Sequence, residues 1–299
     1  MALRLEGTYT ALVTPFSDGE GQPIDWQALD GFIEAQIAGG VAGVVPCGTT
    51  GECATLSPEE HRKVIERTID RVRRRVQVIA GTGSNSTREA IAMSRDAERA
   101  GADAVMVITP YYNRPSQEGL YRHFVEVAKS VTVPIVVYNV PGRTGVDLTA
   151  ETLARIAESA PNVVAVKEAT GNVLRAQQIA RTLGDRIVVL SGDDGLTCPM
   201  IAVGARGVVS VTSNLLPAEV VAATRLALDG KVDEARRAHL RLLAVHEAMF
   251  LDANPTPVKA ALEMAGVMKS VVRPPHAPCS EAARRALKTA LEALARSPF

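Results

Sequence analysis

Aromatic residues are scarce in this 299-residue chain, with one tryptophan, five tyrosines and five phenylalanines. Charge of one sign is missing too, since 33 basic and 33 acidic residues cancel. No basic block and no aromatic-interleaved run of lysine and arginine stands out, so nucleic acid has no electrostatic foothold. The densest run, RRRV at 73–76, reads as the solvated end of a helix. Long hydrophobic runs are absent: nothing approaches the roughly 20 uncharged apolar residues of a membrane span. The opening stretch MALRLEGTYTALVTPF has no charged leader ahead of an apolar core. A soluble protein with no membrane partner is expected. Cysteine is sparse, and Cys47, Cys53, Cys198 and Cys279 have neither CxxC spacing nor the density of a disulfide-stapled secreted scaffold. A cytoplasmic location follows.

What the chain has is a rhythm of β-branched runs, at 7–16, 40–48, 76–83, 102–110, 133–141, 163–170, 187–194 and 207–214. Buried strands of a parallel sheet read as near-continuous Val, Ile and Leu. Between them lie segments with apolar residues every three to four positions, such as DWQALDGFIEAQIA and SPEEHRKVIERTIDRV. Helix starts are marked by Ser57 before Pro58 and by a capping box of Ser86 with Glu89. The pattern predicts a (β/α)8 TIM barrel over residues 1–225, followed by a helical appendage over 226–299. A doubly wound sheet is the competing architecture. It lacks its dinucleotide turn, because GTGSNS places Ser86 where GxGxxG needs its last glycine.

In a (β/α)8 barrel, chemistry collects at the C-terminal ends of the strands. The polar residues there include Thr14, Cys47, Thr49, Thr50, Glu52, Thr82, Thr109, Tyr111, Tyr112, Tyr138, Asn139, Arg143, Lys167, Glu168, Ser191, Asp193, Asp194, Ser210, Thr212 and Asn214. None is a histidine: His61, His123, His239, His246 and His276 all fall in helical or tail segments. A zinc-dependent aldolase or amidohydrolase would lack its usual ligands, and no metal or other cofactor is expected. Asp193 and Asp194 could hold a divalent ion, or one of them could cap the helix beginning near Gly195. Lys167, in VVAVKEAT at 163–170, either pairs with Glu168 at a strand end or serves as a nucleophile. Strand neighbours point to opposite faces, which makes that pair awkward. A lysine desolvated by surrounding valines gains neutral amine, which attacks a ketone or aldehyde to form a Schiff base. Tyr138 and Thr49 could relay the protons without adding charge beside an iminium. Glu168 has no role in this scheme.

GTTGE (48–52), TPYYNRPSQEGLYRHF (109–124), YNVPGRTG (138–145), VKEATG (166–171), SGDD (191–194) and NPTPVK (254–259) together resemble the dihydrodipicolinate synthase and N-acetylneuraminate lyase family. The resemblance implies a class I lyase that condenses pyruvate with L-aspartate 4-semialdehyde on the diaminopimelate route to lysine. It implies Lys167 as the imine-forming amine, Tyr138 as proton donor and acceptor, and Thr49 as the link from Tyr138 to Tyr112. Tyr112 would complete the site of a neighbouring subunit in a homo-oligomer, a tetramer built as a dimer of dimers. Thr50 and the amides of the GTTG turn would hold the pyruvate carboxylate, with Gly192 and Val209 lining the pocket through their backbones. Arg143 would grip the carboxylate of the semialdehyde, whereas sialic-acid lyases lack that arginine. Relatives that cleave keto-sugar acids or arylidene pyruvates would keep Lys167 and GTTGE, so those two features imply only the pyruvate half, and another pyruvate lyase of the family is the alternative. Positions matching Cys53, Ala54, Pro58, His61, Asn85, Glu89 and Tyr111 form a lysine-effector cleft in inhibited members. Cys53 and Pro58 stand where serine and histidine occur in some of those, and a capping role explains Glu89 equally well. A catalytically silent keto-acid-binding barrel is the remaining alternative, and it would be expected to have lost the lysine or the relay hydroxyls.

Overall fold

The computed structural model describes residues 5–296; the outermost residues of the two expected domains, 1–4 and 297–299, lie outside the described residues. Eight parallel strands close a barrel in chain order: β1 (Gly7–Ala11), β2 (Gly43–Val45), β3 (Gln77–Gly81), β4 (Ala104–Ile108), β5 (Ile135–Asn139), β6 (Val163–Glu168), β7 (Val188–Ser191) and β8 (Gly207–Ser210), with β8 returning to β1. A helix follows each strand, from Trp26–Ala38 after β1 to Pro217–Leu228 after β8. This is the expected TIM barrel. The strands are shorter than the apolar runs that announced them. β2 keeps only Gly43–Val45 of its run because Pro46 has no N–H to give a ladder and Cys47 turns left-handed at φ +56°.

Helix ends follow local chemistry. Asp25 accepts the Ala28 N–H at 2.9 Å, and Ser57 makes a full capping box with Glu60. The box expected at Ser86 is only half made. Glu89 N–H reaches Ser86 Oγ at 3.5 Å, but the Glu89 carboxylate accepts from Ser84 at 2.7 Å, and Ser84 Oγ takes the Ser86 N–H at 3.1 Å. The nearer Ser84 hydroxyl has replaced the reciprocal bond. RRRV is a solvated helix end as expected, with Arg73, Arg74 and Arg75 exposed past Val72.

Two apolar layers share the fold. Inside the barrel lie Tyr9, Ala11, Val45, Ile79, Met106, Val136, Ala165, Leu190 and Val209. Between strands and helices lies the larger layer that includes Val44, Val105, Ile135, Val163, Val166, Phe124 and Leu153. Aliphatic side chains make up most of both, which is how so few aromatics suffice; each fully buried Val, Leu or Ile contributes about 1.5–3 kcal/mol. The helical appendage comprises Val232–Ala248, Thr256–Met264 and Glu281–Arg296. The expected boundary at 225 falls inside the helix Pro217–Leu228, whose apolar spacing continues to Leu228 before Gly230 turns at φ +72°. No described helix is long and apolar enough to cross a membrane.

Candidate active site

At the C-terminal end of the barrel, Tyr138 of β5 and Lys167 of β6 stand opposite each other in register. Tyr138 faces in by the regular alternation of β5, whereas Lys167 is turned inward by an extra residue on β6. Ile135 pairs with Val163, but the next residue, Val136, pairs with Ala165, so Val164 is inserted into the ladder. Such an insertion resets which face each later residue takes. Val163 packs toward the helices, Ala165 packs inside the barrel and Val166 packs outside again. Lys167 therefore faces in, with its Nζ 4.1 Å from the centroid of the Tyr138 ring. Glu168 faces out, where it accepts the Thr170 N–H at 2.8 Å and the Asn139 amide at 3.3 Å. Asn139 continues this brace to Asp147 at 2.9 Å, and Asp147 pairs with Arg175 at 2.7 Å. The two neighbours in VKEA thus belong to different environments.

Burial pushes the Lys167 ammonium down to about 7, and the Arg143 guanidinium adds to the effect while Asp194 opposes it. About half of this amine is then neutral at pH 7, against about 0.04 % at the ordinary value near 10.4. Burial also raises the Tyr138 phenol, more than the neighbouring Arg143 and Thr49 lower it, so it stays protonated. Asp194 is 1 % exposed and anchored by Ser210 Oγ, by Val211 N–H at 2.8 Å and by Thr212 N–H at 3.1 Å. Asp193 takes the capping role, accepting the Gly195 N–H at 2.9 Å. Among the described residues no group of three or more His, Cys, Asp or Glu could hold a metal ion.

Thr49, Thr50, Tyr138, Arg143, Lys167 and Gly192 share one cavity of about 140 Å³. Drug-sized ligands occupy about 300–1,000 Å³, so this one suits a smaller molecule. Gly192 is there for space: a Cβ would lie 2.6 Å from Ala169 Cβ and 3.2 Å from Lys167 Cε. The GTTG turn closes through Gly51 N–H to Gly48 and Glu52 N–H to Thr49, both at 3.0 Å, and Thr14 Oγ1 holds the Gly51 carbonyl at 2.7 Å. Cys47 and Glu52, which flank it, are left-handed non-glycine residues at φ +56° and +53°. That conformation costs about 1–2 kcal/mol per residue.

A profile of the Dihydrodipicolinate synthetase family matches residues 4–294. This chain belongs to that family. It is 55 % identical over 98 % of its length to the 4-hydroxy-tetrahydrodipicolinate synthase of Sorangium cellulosum, 97 % of which is covered. Its fold is similar to that of the 4-hydroxy-tetrahydrodipicolinate synthase from Methylacidiphilum fumariolicum SolV, with a TM-score of 0.96 and 46 % identity, covering 98 % of this chain and 97 % of that one. The chloride-inhibited dihydrodipicolinate synthase of Acinetobacter baumannii, solved in complex with pyruvate, gives a TM-score of 0.95 at 40 % identity, covering 98 % and 99 % of the two chains.

Not every residue expected from the family motifs meets in the cavity. Tyr112 is 90 % exposed at φ +71°, outside the cavity of its own chain. Val209 lies in the interior layer beneath, 1 % exposed, and Val211 lines the cavity above it. Several strand-end hydroxyls tie loops rather than face the cavity: Thr82 meets Ser94 at 2.9 Å and Thr109 meets Thr144 at 3.3 Å. Cys53, Ala54, Pro58, His61, Glu89 and Tyr111 do converge, on a separate cavity of about 380 Å³. Asn85 stands outside its wall, with its carbonyl taking Asn113 Nδ2 at 2.9 Å. Asn254 and Phe250, which periodicity alone did not single out, enter the cavity around Lys167 from the appendage, and Asn254 Nδ2 donates to Thr50 Oγ1 at 3.0 Å. The only sequence signal for Asn254 was its place at the head of NPTPVK.

Proposed function

We propose that this chain acts as a 4-hydroxy-tetrahydrodipicolinate synthase, condensing pyruvate, held as a Schiff base on Lys167, with L-aspartate 4-semialdehyde. The observation that carries this reading is a buried lysine, lowered to about 7, in register with a tyrosine at the barrel mouth. Neutral Lys167 Nζ bonds to the keto carbon of pyruvate; one amine proton and one further proton leave with the keto oxygen as water. The resulting iminium withdraws electrons from the methyl group, which gives up a proton and leaves a nucleophilic enamine carbon. That carbon attacks the aldehyde carbon of the semialdehyde, and the aldehyde oxygen takes up a proton. The semialdehyde's amino nitrogen then bonds to the iminium carbon and gives up its excess protons while the bond to Lys167 Nζ breaks, which closes the ring and returns the free amine. Tyr138 is suited to move these protons because burial keeps it neutral, and Thr49 stands behind it as the next hydroxyl. Thr50 and the amides of the GTTG turn receive the pyruvate carboxylate. Arg143, exposed on the rim of the cavity, receives the carboxylate of the semialdehyde.

On this reading Tyr112 serves a second copy of the chain, extending the Tyr138 and Thr49 relay across a homotetramer, and its 90 % exposure in the single chain fits that role. A solution mass of one chain would count against it. We also read the cavity around His61, Glu89 and Tyr111 as a lysine-effector site; unchanged initial rates at millimolar lysine would remove that reading. The free thiols of Cys47, Cys53, Cys198 and Cys279 suit a cytoplasmic enzyme. Borohydride reduction in the presence of pyruvate tests the chemistry, with label expected only on the peptide containing VKEATG. Turnover of N-acetylneuraminate without turnover of pyruvate plus semialdehyde would reassign the substrate and overturn the role given to Arg143.

A further inference from the structure

The turn that faces the pyruvate carboxylate is gripped by the helical appendage. Glu52, last residue of GTTGE, is 2 % exposed, and Lys259, on the helix Thr256–Met264, is 0 % exposed. Their ion pair closes to 2.5 Å. Two charges taken out of water lose hydration that a bare attraction rarely repays, so such a pair needs further bonds. It has them. Lys259 Nζ donates to the Val271 carbonyl at 2.8 Å and lies 4.2 Å from the Phe16 ring centroid. The second oxygen of Glu52 accepts the Arg273 backbone N–H at 3.0 Å. Arg273 is itself fixed, over Phe16 at 4.3 Å and bidentate to Glu60 at 2.7 and 2.8 Å. Asn254, earlier in the same segment, donates to Thr50 Oγ1.

A well-packed apolar pair could fill the same volume with equal or better stability. What the ion pair adds is direction. Glu52 sits at φ +53°, a backbone conformation that a non-glycine residue keeps only where its surroundings over-determine it. Pinning both oxygens of its carboxylate fixes that backbone and, through it, the preceding amides. The Asn254 contact adds a second constraint, on the hydroxyl of Thr50: with Asn254 donating to Oγ1, the hydroxyl hydrogen is left to meet a bound anion.

We propose that Glu52, Lys259 and Asn254 are positioning residues that hold the GTTG turn at the height where it meets the pyruvate carboxylate while Lys167 reaches the keto carbon. This rests on the Schiff-base reading of Lys167. The appendage is then part of the substrate site, although it supplies no reacting group.

The test uses the full-length chain as Lys259→Met, as the double variant Glu52→Gln with Lys259→Met, and as Asn254→Ala. Measured are the pyruvate concentration for half-maximal borohydride trapping, KM for each substrate, kcat and the thermal midpoint. Both pyruvate constants are expected to rise about tenfold or more, since small misplacements of a positioned group are costly. KM for the semialdehyde should stay within about twofold, and saturating pyruvate should still label Lys167. The double variant leaves no orphaned buried charge, so its thermal midpoint should recover while its pyruvate constants stay raised. Should Lys259→Met not fold, the double variant and Asn254→Ala carry the same comparison. A folded variant that binds pyruvate within twofold of the wild type, whatever its thermal midpoint, overturns the proposal, as does an equal rise for both substrates. Wild-type chain that takes no label at Lys167 refutes the Schiff-base reading first, and the positioning role falls with it.

Discussion

Asp194→Asn is expected to move the pH profile of pyruvate trapping toward acid. The gap between 10.5 and about 7 at Lys167 corresponds to about 5 kcal/mol in favour of the neutral amine. That figure is a net one, because burial and Arg143 push the ammonium down while the Asp194 charge pulls it back. Asparagine removes the charge and can keep the geometry. Its Oδ1 can accept from the Val211 and Thr212 N–H groups that Asp194 Oδ2 now serves, and its Nδ2 can donate to Ser210 Oγ. A nearby opposite charge shifts a pKa by about 1–3 units, so the trapping midpoint should fall from about 7 to about 6 or lower. At pH 5 the neutral fraction then rises about tenfold, from about 1 % to about 10 %, whereas at pH 8 it hardly changes. Initial rates of reductive trapping by cyanoborohydride, which survives in mild acid, at subsaturating pyruvate between pH 5 and 9 measure this directly. A midpoint that stays put or moves to higher pH would refute the assignment of Asp194 as the counter-charge of Lys167.

Gly192→Ala should disable the site with little change in fold, because the added methyl meets Ala169 Cβ at 2.6 Å and Lys167 Cε at 3.2 Å. We expect trapping to slow by about a hundredfold and stability to fall by about 1–3 kcal/mol, read from reduction kinetics and from denaturant unfolding. Lys167→Met should be inactive, and its stability relative to the wild type should depend on pH. In the wild type the folded chain gives up the Lys167 proton at about 7 and the unfolded chain at about 10.5. Between those values the unfolded state binds more protons, so wild-type stability climbs with pH and any advantage of the methionine variant shrinks from pH 7 to pH 10. A difference that is constant over that window would argue against a strongly lowered Lys167.

The barrel was legible because its strands are buried on both faces and so read as unbroken β-branched runs; their ends were not, because a proline or a left-handed residue can stop a ladder while the sequence stays apolar. β2 lost Pro46 and Cys47 in this way. Thr49, Thr50, Tyr138, Arg143 and Lys167, which line the cavity, were among the candidates named in advance, since a polar group that finishes an apolar strand lies at the barrel mouth. Strand-end position alone did not separate them from Thr82 and Thr109, and only the family motifs did. Asn254 could not be placed by periodicity, because it lies in the turn before the helix Thr256–Met264 and nothing there says which barrel loop it will touch. The facing of Lys167 was the least visible feature of all. Val163, Val164, Ala165 and Val166 are uniformly apolar, so alternation carries no phase, and one inserted residue leaves no mark. Carried forward from Val163, which faces the helices, strict alternation would send Lys167 out toward Asn139 and turn Glu168 into the cavity. The insertion at Val164 reverses both. It gives the amine its desolvated place beside Tyr138 and sends the carboxylate to the Asn139 and Thr170 donors. Which of two adjacent ionisable residues reaches the cavity is thus decided by a valine three positions upstream of the lysine, a residue with no polar side-chain atom and no place in the cavity lining.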